Sequence, residues 1–573
     1  MLNFIKLILF ISCSVFSLHS YSNSSTHKNT LYQHASDYLA MHGQDPVNWL
    51  DWQQATLKKS TAENKLIMIS SGYFSCHWCH VMQTENYHDI ETANYLNKHF
   101  ISVKIDRELT PDLDRYLIDF AQRSAGHAGW PQHVFLTPDG YPFFAFTYQP
   151  KPDFLLNLKK IQNFWQKNKN KVIKAAKSAV LINDKQTTNK LHIIEFYRAF
   201  TEQLAPQMDM LSGGLKGSNK FPNAPILKTA LLLPKADEEI TEWLITSLDQ
   251  MQSQHLFDHI YGGFYRYTVD PEWQTPHFEK MLYTQAQLAE IYLIAGEKYQ
   301  RQDYLITAQK TLDYVQQQLF HPLSGLYQSS QSAVNKQQVE AADYVWTKQQ
   351  LKNSLSQQAF QQISKEWLTE QTPYEIPIND KIKLAWHPKP TLKHWQAIKS
   401  ILKDNKIKPI KDIPTDSKSI LGWNGLLLTA FSKAVQMKKL ESKTAQDLAD
   451  ALIKQLDKPQ PPRALSATNK NMGQANIQDY AYVIQGLENW AKVSKNQTLK
   501  DKTKHYRKIA KEKFFNHQGW LYSDSPILPG QTASKAITDN AMPSPTAILS
   551  CQLTNSLLKN PLSFASYAQD NCQ

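Results

Sequence analysis

The chain has 573 residues, of which 42% are hydrophobic and 20% charged, and a formal net charge of +12. This composition belongs to a folded protein with room for several domain equivalents; it excludes a disordered chain, a collagen and a polytopic membrane protein. The 18 glycines, about 3% against a usual ~7%, favour helix over a turn-dense all-β architecture, and the five cysteines exclude a disulfide-stapled mini-fold while leaving open a redox pair, a metal site or a thiol nucleophile.

In chain order, the first feature is an address. Lys6 precedes the apolar run LILFISCSVFSL and then Ser20-Tyr21-Ser22, the layout of a cleavable signal peptide. The run is too short to span ~30 Å of hydrocarbon, and no later segment approaches ~20 uninterrupted apolar residues. The expectation is a signal peptide over residues 1–22 and an exported protein, periplasmic or secreted, with no stable membrane span. Phe10 and Ile11 fit poorly before a lipidated Cys13, which should leave with the signal peptide.

From about Asn29 to Asn168 the pattern alternates. Leu66 to Ser70 reads as a buried strand, Cys76 to Asn86 and Ile90 to His99 as helices, and Phe100 to Asp106 as a strand. A helix near Asp112 to Arg123, strands at His133 to Thr137 and Pro142 to Tyr148, and a helix after Asp153 follow. The order β, α, β, α, β, β, α describes a small α/β sandwich with one hairpin.

The lysine-rich stretch Lys159, Lys160, Lys167, Lys169, Lys171, Lys174 and Lys177 reads as a solvated helix running into a linker over about Gln166 to Lys190. It lacks the interleaved aromatics of a nucleic-acid groove, and no nucleic-acid partner is expected. Beyond about His192 the helical period dominates: Leu305, Ala308, Leu312, Val315 and Leu319 step by three and four, as do Leu351, Leu355, Phe360, Ile363 and Trp367 within looser turns. About a dozen such segments, near 191, 224, 240, 282, 301, 347, 392, 421, 443, 476, 497 and 544, suit an all-α (α/α)6 toroid of paired helices.

The chemistry is concentrated in Cys76-His77-Trp78-Cys79-His80, which opens a helix directly after a strand. Two cysteines three apart at a helix start can face each other, and the first sits where the helix dipole favours a thiolate, as disulfide exchange requires. His77, Trp78 and His80 are candidates for tuning the pair. Cys-x-x-Cys-His is also the attachment pattern for c-type haem, although a motif following a buried strand in an α/β pattern is not the wrapping helical fold that haem needs. A structural zinc needs a second ligand pair, which Cys551 and Cys572 do not supply; a buried, inert pair is the remaining alternative. Gly129-Trp130-Pro131 precedes the strand HVFLT, where thioredoxin folds present a cis-proline to the active-site disulfide, and proline is the residue for which cis is inexpensive.

These segments together resemble a known family. Asp45-Pro46-Val47-Asn48-Trp49, SGYFSCHWCHVM, VKIDRE with Pro111-Asp112-Leu113-Asp114, and GWPQHVFLTPDGYPFF are similar to the YyaL and spermatogenesis-associated protein 20 family. So are Lys220-Phe221-Pro222, GGFYRYTVDPEW with PHFEKMLY, Trp423-Asn424-Gly425 and Asp479-Tyr480-Ala481. The resemblance implies a thioredoxin-like domain over residues 23–180 joined to an (α/α)6, six-hairpin glycosidase-like barrel over 181–573. Three segments depart from the family pattern. Thr284 stands where aspartate is usual, SSQSAVNKQQVEAAD precedes Tyr344-Val345-Trp346-Thr347 in place of a more acidic stretch, and TDSKSILG precedes Trp423.

The leading expectation is an exported thiol-disulfide oxidoreductase with the barrel as a ligand- or partner-binding module. Cys76 acts as the exposed nucleophile, Cys79 as the resolving thiol and Pro131 as the substrate-positioning residue. Its partners are protein dithiol or disulfide substrates or a redox partner, with a carbohydrate a candidate ligand of the barrel, and neither a cofactor nor a metal is expected. The alternative is a carbohydrate-binding or carbohydrate-active protein, epimerase- or glycosidase-like, with an accessory thioredoxin domain. Its candidate pocket residues are Tyr265, Tyr267, Asp270, Trp273, His277, Glu279, Trp423, Asn424 and Asp479, since sugar chemistry uses paired carboxylates or histidines and aromatic faces. Cys551 and Cys572 are candidates for a second, structural disulfide worth about 3 kcal/mol if unstrained.

Overall fold

The structure, a computed structural model, describes residues 29–179, 191–371, 373–378, 381–390, 395–404, 413–517, 519–522, 527–529, 534–550 and 555–569. The expected signal peptide and the candidate bond between Cys551 and Cys572 lie outside the described residues.

The N-terminal region is an α/β thioredoxin-like fold. After the short helix α1 (Asp37–Met41) and α2 (Gln54–Glu63) come β1 (Leu66–Gly72), α3 (His77–Met82), α4 (Ile90–His99), β2 (Phe100–Asp106), α5 (Pro111–Ala125), β3 (Gln132–Leu136), β4 (Pro142–Phe146) and α6 (Lys151–Ala179). The strands form one sheet in the order β2-β1-β3-β4; β1 runs parallel to β2 and antiparallel to β3. Every residue of β1 and β2 is buried, as strands covered on both faces require. Alternation then divides the side chains. Ile67, Ile69, Ile101, Val103 and Ile105 meet Leu113, Leu117 and Phe120 of α5, while Leu66, Met68 and Phe100 face the cluster that holds Leu96, Phe154 and Leu158.

Local signals set the helix ends. The Asp89 carboxylate caps α4 by accepting the Thr92 N–H at 2.8 Å, Pro111 opens α5, and Gly126 closes it at φ +77°, a conformation that glycine adopts without strain. Helix α6 continues to Ala179, so the first part of the linker anticipated from Gln166 is helical; residues 180–190 lie outside the described residues.

The second region is a mostly helical toroid. Its helices are α7 (Ile193–Leu204), α8 (Ala224–Leu232), α9 (Glu238–Ser253), α10 (Leu282–Lys298), α11 (Gln302–Tyr314), α12 (Lys348–Ser354), α13 (Gln357–Glu370), α14 (Trp395–Asp404), α15 (Leu421–Gln436), α16 (Ser442–Leu456), α17 (Ile477–Val493), α18 (Gln497–Phe514) and α19 (Pro545–Leu549). Helices α10, α15 and α17 are buried on nearly every face, and α15 packs against both of the others. Helix α18 fully buries one stripe, Leu499, Thr503, Tyr506, Ala510 and Phe514, which sets it on the outer layer.

Helices α15 and α17 approach closely because Gly425 and Gly486 lack side chains: a methyl group on either would strike the other helix's backbone. The end of the chain closes the ring, with Pro561–Ala568 packed against α7 and α8 and the Thr229 hydroxyl donating to the Ala565 carbonyl at 2.7 Å. Helices α12–α14 contribute a satellite cluster that includes Trp346, Ile363, Trp367 and Trp395; α10 meets α15 directly. Among the described residues, no helix is long and apolar enough to cross a membrane.

A buried charge cluster joins the two regions. Lys418 Nζ lies 3.1 Å from Asp106 and 2.8 Å from Glu108 of the thioredoxin-like region, and also contacts Asp416. All four side chains are almost fully excluded from solvent. Arg463 adds a 2.9 Å bond to the Glu108 carbonyl.

Candidate functional site

Strand β1 ends at Gly72 and delivers Tyr73-Phe74-Ser75 into α3, with Cys76 as its N-cap. Cys76 and Cys79 are disulfide-bonded, with their Cα atoms 5.3 Å apart, and the Cys79 N–H donates to Cys76 Sγ at 3.1 Å. The Trp130–Pro131 peptide is cis. Ser71 pairs with Gln132, so the same register sets Pro131 opposite Gly72, at the end of the strand that leads to the disulfide.

The pair is not exposed. Cys76 is 2% accessible and Cys79 0%, which corrects the expectation of an exposed nucleophile. The reason is tertiary: loops of the toroid cover the site. The Tyr73 hydroxyl donates to Glu279 at 2.8 Å and accepts a short bond from Arg266, which itself pairs with Glu279 at 3.1 Å. The Ser75 hydroxyl reaches Met281 Sδ at 3.2 Å. Glu340 lies 3.3 Å from His77 Nε2 and 2.8 Å from His277 Nδ1.

The surrounding histidines are held in different states. Burial lowers the His77 pKa, against the opposing pull of Glu340. For His277 burial acts in the same sense, but the hydrogen bond and charge of Glu340 more than offset it, and its pKa is raised. Burial takes His80 down to about 4; its Nε2 bonds the Phe74 carbonyl at 2.7 Å. Trp78, 41% exposed, lies with its ring 4.9 Å from that of Tyr148.

A cavity of roughly 600 Å³ opens between the regions, walled by Trp130, Asp114 and Arg107 on one side and by Arg266, Tyr283, Thr284, Trp423 and Asp539 on the other. Asp114 fixes its edge, accepting from Ser71 at 2.5 Å and from Trp130 Nε1 at 2.9 Å, while the Arg107 guanidinium stacks 3.8 Å above the Trp130 ring. The Tyr73 ring packs edge-on to Trp130, with ring centroids 6.0 Å apart. Burial pushes Asp539 up to about 7, and it also raises Asp114.

The nine residues anticipated as one barrel pocket divide into three groups. Trp423 lines the cavity. Tyr267, His277 and Glu279 gather beside Arg266 under the cysteine loop, with Tyr267 stacked on Phe221 at 4.6 Å and on His277 at 4.8 Å. The other five are committed to the scaffold. Asp270 accepts the backbone N–H groups of Glu272, Gln274 and Thr275. Trp273 is buried and donates to the Ser212 carbonyl at 2.7 Å. Tyr265 is buried with its hydroxyl 3.2 Å from His387. Asn424 bonds both backbone groups of Tyr327, and Asp479 pairs with Arg463 at 2.7 Å while accepting from Gly422 and Asn476.

The segments that depart from the family pattern are not idle. SSQSAVNKQQVEAAD supplies Glu340, TDSKSILG supplies Asp416 and Lys418, and Thr284 lines the cavity. Tyr73, Arg266, Arg107 and Tyr283 were not singled out from sequence; each lies inside or beside a quoted motif, but nothing in spacing distinguishes it from a packing residue.

Residues 28–182 match the family Thioredox_DsbH, "Protein of unknown function, DUF255". Human spermatogenesis-associated protein 20 is 33% identical over 362 residues, covering 59% of this chain and 46% of the human protein. That alignment is longer than the N-terminal region and therefore reaches into the toroid. The chain is a relative of spermatogenesis-associated protein 20. Among solved structures, cellobiose 2-epimerase from Bacillus thermoamylovorans overlaps 60% of this chain and 76% of its own, with a TM-score of 0.38 and 12% identity. A DsbH oxidoreductase overlaps 20% of this chain and 85% of its own, with a TM-score of 0.18 and 19% identity. The cysteine pair itself gives the protein redox capability.

Proposed function

We propose that this protein is a thiol-disulfide oxidoreductase whose toroid controls access to the reactive pair. The carrying observation is the Cys76–Cys79 disulfide at the head of α3, directly after a buried strand of a thioredoxin-like sheet. In the reducing direction, a donor thiolate attacks Cys76 Sγ and Cys79 leaves with the bonding electrons; the donor's second thiolate then resolves the mixed disulfide, leaving an oxidised donor and a reduced pair. Pro131, across from Gly72, positions the incoming chain. Residues 1–22 act as a signal peptide and the reaction takes place outside the cytoplasm, a reading supported by the apolar run after Lys6.

Expression of Cys79→Ser tests this reading: mixed disulfides should accumulate on Cys76, and an unreactive Cys76 thiol without adducts would overturn it.

A second reading rests on the cavity. Trp130, Tyr283 and Trp423 offer apolar faces, Arg107 and Arg266 offer donors, and Asp114 and Asp539 place buried carboxyl groups in the wall. These features support a polar, carbohydrate-type ligand bound between the two regions. Thermal stabilisation by a sugar that is lost in Trp423→Ala but kept in Cys76→Ser would support it; no stabilisation across a panel of mono- and disaccharides counts against it.

A further inference from the structure

A hydroxyl without a hydrogen-bond partner lies beside the disulfide. Tyr38, on α1, is fully buried, and its hydroxyl has no hydrogen-bond partner among the described residues, whereas the neighbouring Tyr73 and Tyr87 hydroxyls bond Glu279 and Ser70. Burying a donor unsatisfied is costly, and each such group in a folded protein calls for an explanation.

Its position supplies one. A methyl group at Gly72 would strike both the Tyr38 hydroxyl and, at 2.9 Å, Cys79 Sγ, so oxygen and sulfur flank the same face of Gly72. In the disulfide, Cys79 is a weak acceptor. Once the bond opens, the sulfur becomes a thiolate that moves off Cys76 and accepts strongly.

The other nearby donors are committed. The Cys79 N–H points to Cys76 Sγ, His80 Nε2 bonds the Phe74 carbonyl, and Lys104 Nζ donates to Ser70 Oγ at 3.0 Å.

We propose that the Tyr38 hydroxyl is the hydrogen-bond donor to the Cys79 thiolate of the reduced pair, orphaned in the disulfide and satisfied when it opens. The inference rests on the redox reading of the site. When a dithiol reduces the pair, the donor becomes a disulfide and Cys79 departs with the bonding electrons; no proton leaves Tyr38. Burial raises the Tyr38 pKa, so the phenol stays protonated. The charged and titratable groups around it are Lys104 and Asp106 on β2, His42 and Asp45 after α1, Asp114 on α5 and Tyr87. Tyr38 is a positioning residue for the resolving sulfur and takes no part in bond making.

The test is to titrate Cys79 alone, by thiolate absorbance, in a Cys76→Ser background. Tyr38→Phe should raise the Cys79 pKa by about one unit or more, a tenfold loss of thiolate at a given pH. In the intact pair it should lower the reduced-to-oxidised ratio in a fixed thiol buffer by a similar factor. Tyr87→Phe removes a hydroxyl from the same buried layer and should leave both readouts unchanged.

Equal titration with and without the Tyr38 hydroxyl overturns the proposal, as does an equal shift in Tyr87→Phe. A second measurement needs no variant at Tyr38: reduction of the unmutated protein should shift a tyrosine C–O infrared band, and a tyrosine-silent difference spectrum overturns the assignment. The titration requires no exchange activity. An inactive protein whose Cys79 still responds to Tyr38 would therefore sink the redox reading and leave this inference standing.

Discussion

The Tyr73 hydroxyl donates a 2.8 Å hydrogen bond to the Glu279 carboxylate, and this contact fastens the loop just ahead of Cys76 to the toroid. With Arg266 on the same hydroxyl and Glu340 shared between His77 and His277, the disulfide lies under a polar clasp. On the proposed reading, a reductant reaches the cysteines only when these contacts between the two regions part.

Tyr73→Phe removes the phenolic oxygen and leaves the Arg266–Glu279 pair in place. A hydrogen bond to a charged group contributes about 1.5–3 kcal/mol, and 1.4 kcal/mol is tenfold in a population. The rate at which dithiothreitol reduces the Cys76–Cys79 bond should rise about tenfold or more. An unchanged rate would mean that the reductant reaches the bond without parting this contact.

Lys418 contacts all three of Asp106, Glu108 and Asp416. Removing one partner of a buried charge group typically costs about 3–5 kcal/mol. Lys418→Met should lower stability by that order in urea denaturation and expose the junction to limited proteolysis. Adding Asp416→Asn to it should recover part of the loss, because burial already raises the Asp416 pKa against the attraction of Lys418.

Acid sensitivity follows from the buried neutral histidines. Burial takes His80 and His255 down to about 4 and His133 down to about 3, while in the unfolded chain each titrates near 6.5. Between these values the unfolded state binds more protons, so stability is lost as pH falls from about 6.5 towards 4, by on the order of 3 kcal/mol for each ring. His80→Gln removes one titrating ring, and the unfolding free energy measured across this window should fall less steeply than in the parent.

Gly425→Ala tests the inner crossing of the toroid. The added methyl meets the backbone of Tyr482 and Val483 on α17, and backbone cannot rotate aside. Overpacking of this kind costs about 1–3 kcal/mol, occasionally more, so the melting temperature should fall by several degrees. Gly126→Ala, a position with open space around it, is the comparison that isolates strain from crowding: its cost comes from φ +77° alone.

The sequence by itself determined the secondary structure and the chemistry-bearing motif. Seven buried residues in each of β1 and β2, Pro111 and Gly126 at the two ends of α5, and the apolar steps along α11 are local signals, because strand alternation, helix period and cap chemistry are written within a few residues of where they act. Cys76 and Cys79 were legible for the same reason: their meeting depends only on one turn of helix.

What tertiary structure decided is where the side chains of distant segments come to rest. Asp270 and Asp479 have the chemistry of catalytic carboxylates, but one holds a turn and the other pairs with Arg463, since a carboxylate takes whichever donors the fold brings within 3 Å. Glu340 and Lys418 lie in segments that read as departures from a pattern, yet they serve the contact between the two regions. The burial of Cys76 has the same origin. No property of the Cys-His-Trp-Cys stretch forecasts that Glu279 and Met281, some 200 residues away, cover it.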